Sequence, residues 1–224
     1  MREFDALADY PEPKNPRVVG PNLRTIQNRI VAAYRGRDFY DGDRNSGYGG
    51  FQYDGRWVPV AKKMVSEYGL TNRSAILQIN CEKGFLLRDL KSEIPGARVQ
   101  GTEISEYAIE KAMPEVKDFI LKAPFTSLPF EDGEYDFIIA IGAIYSLNLP
   151  DAITCLKEIQ RVGRGKSFIT LAAYDNEDDF RLFRYWTLLG TTVLSKPDWC
   201  EVLNHVSYTG DYKFNTASTL KLVE

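Results

Sequence analysis

The stretch richest in chemistry runs from Asp38 to Trp57 (DFYDGDRNSGYGGFQYDGRW), with five glycines, six aromatics and almost no aliphatic residue. Such a segment cannot be a packed helix, and its glycines permit tight turns close to a ligand or partner. Arg56 could pair with a carboxylate or phosphate, and Tyr48 and Tyr53 could line a pocket or donate hydrogen bonds. A plainer reading is a structured loop whose aromatics cover a sheet edge; so much glycine beside so many aromatics favours a lid. Two further stretches carry polar groups. One is the turn Gln78-Ile79-Asn80-Cys81-Glu82-Lys83-Gly84 after a short apolar strand, and the other is Tyr174 to Trp186, whose acids suit a helix start and which includes Arg184. His205 is the only histidine and lies on a late helix, where solvation or packing is its expected role. Cys81, Cys155 and Cys200 show no metal-binding spacing, and there is no zinc motif, serine elbow or phosphate-loop lysine.

These groups need a scaffold, and the hydrophobic pattern indicates one. Residues 1 to about 20 form a proline-rich irregular arm, and Asn22 to Arg35 has helical spacing of Leu23, Ile26, Ile30, Val31 and Tyr34. A second helix spans Pro59 to Tyr68, with Gly69 as its C-cap. Strand and helix then alternate: strand at Ala75, helix from Phe85 to Leu90, strand from Ala97 to Glu103, a helix capped by Ser105 and a third strand from Val116 to Leu121. Tyr135 to Ile141 reads as a strand covered on both faces. A helix from Asp151 to Val162 and a strand from Ser167 to Ala173 follow, then a helix near Asp198 to His205. TGDYKF and LKLVE are expected to close the sheet as a hairpin. Strict alternation implies a doubly wound parallel sheet. We divide the chain into 1–72 (arm, helix and lid) and 73–224 (core domain). A charge of -3 and 44% hydrophobic residues suit a globular protein with no global pull toward nucleic acid or membrane. The start lacks the apolar stretch of a signal peptide, and the cysteines suit a reducing compartment, so the expectation is a soluble cytoplasmic protein without a bound metal.

Five stretches in order, ILQINCEKGFLLRDL, VQGTEIS, SLPFEDGEYDFIIAIGAIYSL, CLKEIQRVGRGKSFI and WCEVLNHVSYTGDYKF, resemble the class I S-adenosylmethionine-dependent methyltransferases, specifically their type 11-like small-molecule branch. The likeness covers about Arg73 to Glu224, with Arg35 to Tyr68 as an N-terminal cap. It implies an α/β Rossmann-like methyltransferase fold with a mostly parallel seven-stranded sheet, helices on both faces, and S-adenosylmethionine as cofactor.

The same resemblance assigns the donor site. The family turn is an acid followed by alternating glycines; here Gln78 replaces the acid, Asn80 and Glu82 replace glycines, and Gly84 alone is kept. Glu82 would set negative charge near the donor carboxylate. Glu103, about 20 residues beyond the turn, has the spacing of a ribose-binding acid. Phe125 or its neighbour Pro124 stands where the family has an adenine-binding Asp. Ile104 and Ile141 complete the implied cofactor set. On the acceptor side the resemblance puts Tyr145 where the family often has a polar residue; Arg56 and Arg184 are further candidate substrate contacts by their own chemistry, and Tyr48, Tyr53 and Tyr145 are candidate catalytic groups. Methyl transfer depends chiefly on alignment in a dry pocket, so a lid is expected. Two functional readings follow: a methyltransferase for a small polar metabolite, or a non-catalytic relative that has lost donor binding and serves as a partner subunit or binds another ligand. Either could form a homo- or hetero-oligomer.

Overall fold

The computed structural model describes residues 1–224. The N-terminal part holds two short strands, Arg2–Glu3 (β1) and Arg17–Val18 (β2), and helices Ile26–Ala33 (α1), Arg37–Tyr40 (α2) and Val58–Tyr68 (α3). Helix α1 starts at Ile26 rather than Asn22 because Thr25 and Asn28 form a reciprocal capping box, worth about 1 kcal/mol. It ends two residues before Arg35, whose φ of 47° leaves the helical region. Its apolar stripe does not face a core: Ile26 is 73% and Tyr34 81% exposed. Gly69 ends α3 with φ 62°, as the sequence predicts.

The remaining chain alternates Ala75–Ile79 (β3), Phe85–Glu93 (α4), Arg98–Glu103 (β4), Glu106–Glu110 (α5), Ile120–Lys122 (β5), Phe137–Ala140 (β6), Leu149–Val162 (α6), Ser167–Tyr174 (β7), Glu177–Trp186 (α7), Leu194–Ser195 (β8), Lys196–His205 (α8), Asp211–Asn215 (β9) and Leu222–Val223 (β10). The main sheet runs β1-β9-β7-β6-β3-β4-β5, with β8 branching from β7, and every pairing is parallel. The period-2 alternation of a strand sends neighbouring residues to opposite faces. Leu77, Ile79, Ile138, Ala140, Ile169 and Leu171 therefore join one core. Ile76, Phe137, Ile139 and Phe168 join the other, together with Met64 of α3 and Ala6 of the arm. No helix is long and apolar enough to cross a membrane.

Two sequence expectations need correction. The third strand is Ile120–Lys122, preceded by a 3-10 turn over Lys117–Phe119. Leu121 and Lys122 are exposed on this outermost strand, so only Ile120 is held by burial. The closing hairpin does not form. Strand β9 lies parallel to β7, and β10 pairs with β2 in a separate two-stranded sheet. The tail thus returns to the N-terminal arm instead of folding on itself, an arrangement that strand patterning does not specify.

Candidate ligand cleft at the strand carboxyl ends

After β5 the chain crosses back to place β6 beside β3, so strand order reverses between these two. In open parallel sheets this reversal opens a crevice beyond the carboxyl ends of the strands. The turn 78–84 sits at its edge. Asn80 (φ 58°), Glu82 (φ 54°) and Gly84 (φ 74°) all take left-handed backbone, the geometry three alternating glycines would adopt freely. Asn tolerates this well; at Glu82 it costs about 1 kcal/mol. Hydrogen bonds hold the turn against that strain. The Glu82 N–H donates to Glu103 Oε2 (2.8 Å), Asn80 Nδ2 to the Ile141 carbonyl (3.1 Å), and Arg35 Nη1 to Asn80 Oδ1 (2.8 Å). At Gly84 even a methyl group would meet Val116 Cγ2 at 2.9 Å, so this glycine is required twice over.

Glu103 is wholly buried, and its other oxygen accepts the N–H groups of Ile104 (2.8 Å) and Ser105 (2.9 Å). Three of about four carboxylate lone-pair positions are therefore taken by backbone. The segment from Arg35 to Tyr40 packs over this end. Ser105 Oγ donates to the Arg35 carbonyl (2.5 Å), and Ala32, Phe39 and Tyr40 form a small core with Ala108. Phe125 is buried, Gln78 is buried with Oε1 lacking a partner, and Ile104 is exposed. Glu103, Ile104, Phe125, Gln78 and Gly84 do not line the cleft; Asn80, Glu82, Ile141 and Tyr145 do.

The cleft measures about 770 Å³, within the range of small-molecule sites. Asn80, Glu82, Gly142 and Tyr145 form part of one wall, and Tyr48, Phe51 and Arg56 of the aromatic-glycine segment form part of another. Tyr48 donates to Glu82 Oε1 (2.5 Å). Burial pushes the Glu82 carboxyl up to about 7, and Glu103 adds to the shift; the Tyr48 hydrogen bond, Arg35 and Lys83 oppose it. The negative charge expected at Glu82 is thus largely protonated below neutrality. Because the folded carboxyl holds its proton more tightly than the unfolded one, its contribution to stability is full below about pH 4.5. That contribution falls as pH rises toward 7, by about 3 kcal/mol at most. Glu82→Gln is expected to flatten this part of the pH–stability curve between pH 5 and 7.5, measured by urea unfolding. An unchanged slope would remove Glu82 as its source. Burial also raises Tyr145, to about 12, and Tyr48 further. Both act at neutral pH as hydrogen-bond donors rather than bases.

The segment is pinned from beneath. Lys83, buried, donates to both oxygens of Asp41 (2.8 and 2.7 Å) and to the Phe51 carbonyl (2.8 Å), while Tyr107 also donates to Asp41 (2.8 Å). Phe51 stacks on Tyr48 at 4.3 Å and on Phe85 at 4.7 Å. Tyr53 lies off the cleft and donates to Asp89 (2.7 Å). Arg56 borders the cleft but forms an ion pair with Asp54. Arg184 lies outside, donating to the Gly190 carbonyl (3.2 Å), and His205 occupies the last turn of α8. Sequence reading missed Arg35, Asp41 and the cleft arginines Arg17, Arg24 and Arg44. Arg35, Asp41 and Arg24 meet Asn80, Lys83 and Trp186 from far along the chain, and the sole local signal was the position of Arg35 next to the glycine-aromatic segment.

A doubly wound parallel sheet with a cleft at its switch point defines an α/β protein of Rossmann type. Residues 76–165 match the methyltransferase domain family. That stretch is less than half of the chain, and over the remainder the likeness is one of fold, the α/β arrangement of the class I methyltransferases. It is 35% identical over 95 residues to the ribosomal RNA small subunit methyltransferase A of Thermotoga petrophila, covering 42% of this chain and 34% of that protein. It is 31% identical over 104 residues to cycloartenol-C-24-methyltransferase 1 of Oryza sativa, covering 43% and 29%. The matched part thus spans about a third of the length of these relatives. The YcgJ protein of Bacillus subtilis shares the fold with TM-score 0.55 and 17% identity, over 65% of this chain and 66% of that one. A candidate methyltransferase of Bacillus halodurans does so at 0.53 and 16%, over 65% and 67%.

Proposed function

We propose that the chain is an S-adenosylmethionine-dependent methyltransferase acting on a small polar molecule held in the cleft. The observation that carries this reading is the turn 80–84, which keeps left-handed backbone at three alternating positions although two are not glycine. A turn under no demand for that shape would relax out of it. The amino-acid end of the donor fits the residues present. Arg35 has no carboxylate partner and can face the donor carboxylate, and the Ile141 carbonyl can accept from an ammonium now replaced by Asn80 Nδ2. The nucleoside end does not fit this conformation, because Glu103 is enclosed beneath Arg35 to Tyr40. Donor entry therefore requires that segment to lift from Ser105 and Ala108. The bound donor supplies the methyl group. Tyr48 and Tyr145 orient the acceptor by hydrogen bonds, and Phe51 and Phe85 keep water out. The protein is read as intracellular and as binding neither nucleic acid nor membrane.

A second reading rests on the enclosed Glu103: a cleft that takes a polar ligand without any nucleoside donor. Calorimetric and thermal-shift titrations with S-adenosylmethionine and S-adenosylhomocysteine separate the two. The first reading expects saturable stabilisation, about 2.7 kcal/mol at a hundredfold excess over Kd, with faster amide exchange over residues 35–40. A flat response at millimolar ligand would overturn it in favour of the second.

A further inference from the structure

The charges that border the cleft do not balance. Asp5 pairs with Lys213 (2.7 Å), Glu12 with Lys221 (2.6 Å), and Asp54 with Arg56. The remaining acid, Glu82, is bonded to Tyr48. On the opposite account Arg17, Arg24, Arg35 and Arg44 line the cleft, and none forms an ion pair with a carboxylate. Arg35 is committed to Asn80 and Ser146 on the turn side. The other three gather at the far end. Arg17 and Arg24 each place a guanidinium 5.9 Å from the centre of the Trp186 ring. Arg24 Nη1 donates to the Trp186 carbonyl at the end of α7, and Arg44 Nη1 to the carbonyls of Tyr48 (2.7 Å) and Gly47 (3.4 Å). Arg17 makes no side-chain hydrogen bond. Each guanidinium has five N–H donors, so most donors of this trio are free.

Arg17 and Arg24 are half-buried and Arg44 is exposed at their rim; like charges gathered in this way repel one another, the two half-buried ones lose hydration, and proteins ordinarily offset this with carboxylates. Here the neighbours make the cost visible: burial, then Arg44, Arg29 and Arg17, pull Arg24 down to about 10, and burial and Arg44 lower Arg17. No carboxylate of the chain pairs with any of the three to offset this.

We propose that Arg17, Arg24 and Arg44 form a phosphate-binding subsite, and that the molecule held in the cleft is a phosphate monoester of a small polar compound. A tetrahedral dianion matches the several converging forks of guanidinium donors better than a single carboxylate does. The one cleft of about 770 Å³ is lined both by these arginines and by Tyr145 and Glu82, so it offers the organic part a polar wall beyond its phosphate. This deepens the reading of the cleft as an acceptor site, but the subsite needs no methyl donor to be tested.

Calorimetry at constant ionic strength, without any methyl donor, provides the test, with inorganic phosphate, ribose 5-phosphate, adenosine monophosphate, ribose and acetate as probes. Phosphate is expected to bind saturably at millimolar concentration, one of the phosphorylated compounds more tightly, and ribose and acetate not at all. Arg17→Gln and Arg44→Gln should each weaken phosphate binding about tenfold and together about a hundredfold. Arg17→Glu, whose parent side chain makes no hydrogen bond and touches only the face of Trp186, should abolish it while circular dichroism and Tm stay near those of the parent. Phosphate binding no tighter than acetate, or a folded double variant that binds phosphate as the parent does, would overturn the proposal. A flat S-adenosylmethionine titration would leave it standing.

Discussion

Lys83→Ala is expected to lower the stability of the protein by about 2–3 kcal/mol, below the range for breaking a fully buried ion pair because Asp41 keeps some contact with solvent. Lys83 is among the few fully buried charges, and its ammonium satisfies both oxygens of Asp41 and the Phe51 carbonyl at once. Deleting it leaves a carboxylate with only the Tyr107, Gln52 and Phe51 hydrogen bonds, under a layer of aromatic rings. Urea unfolding measures the loss, and limited proteolysis should show earlier cutting between residues 42 and 53. Lys83→Met keeps most of the volume and isolates the charge, so it should lose nearly as much. If Lys83→Met were as stable as the parent, the aromatic stack alone would hold the segment and the ion pair would be incidental.

The second large effect concerns the turn. Asn80→Gly with Glu82→Gly is expected to raise affinity for S-adenosylmethionine by about ten- to a hundredfold. The double change removes two side chains from the cleft wall, frees the Ile141 carbonyl from Asn80, and deletes a carboxyl from the place where the donor carboxylate would lie. Net stability should fall by about 2 kcal/mol. Glycine relieves about 1 kcal/mol of left-handed strain at Glu82, while the lost hydrogen bonds to Tyr48, Arg35 and Ile141 withdraw about 1 kcal/mol each. Glycine's flexibility in the unfolded chain adds a small further cost. Calorimetry of the folded variant decides the matter. Donor affinity equal to the parent's would mean that access is set elsewhere, by Arg35 to Tyr40 over Glu103.

Local pattern was enough for the scaffold. The unbroken apolar run of β6, the Gly69 cap of α3, the Ser105 cap of α5 and the alternation of strand and helix each follow from forces acting over a few residues, and all are present. The special character of residues 78–84 was also legible, because a turn built for glycine leaves its spacing in the chain even when Asn and Glu fill it. Long-range pairing decided the rest. The return of β10 to β2 and the burial of Glu103 under the N-terminal segment depend on the final three-dimensional arrangement.

The sequence by itself therefore determined a parallel α/β domain with a modified turn after its first core strand and a glycine-aromatic segment beside it. Hydrophobic period and backbone permissiveness are properties of adjacent residues, so they can be read along the chain. Tertiary structure alone decided which charges are cancelled and which are left facing the cleft. Coulomb energy and desolvation depend on separations through space, and Arg17, Arg44 and Trp186 come together only after the arm, the glycine-aromatic segment and α7 have packed around the same opening.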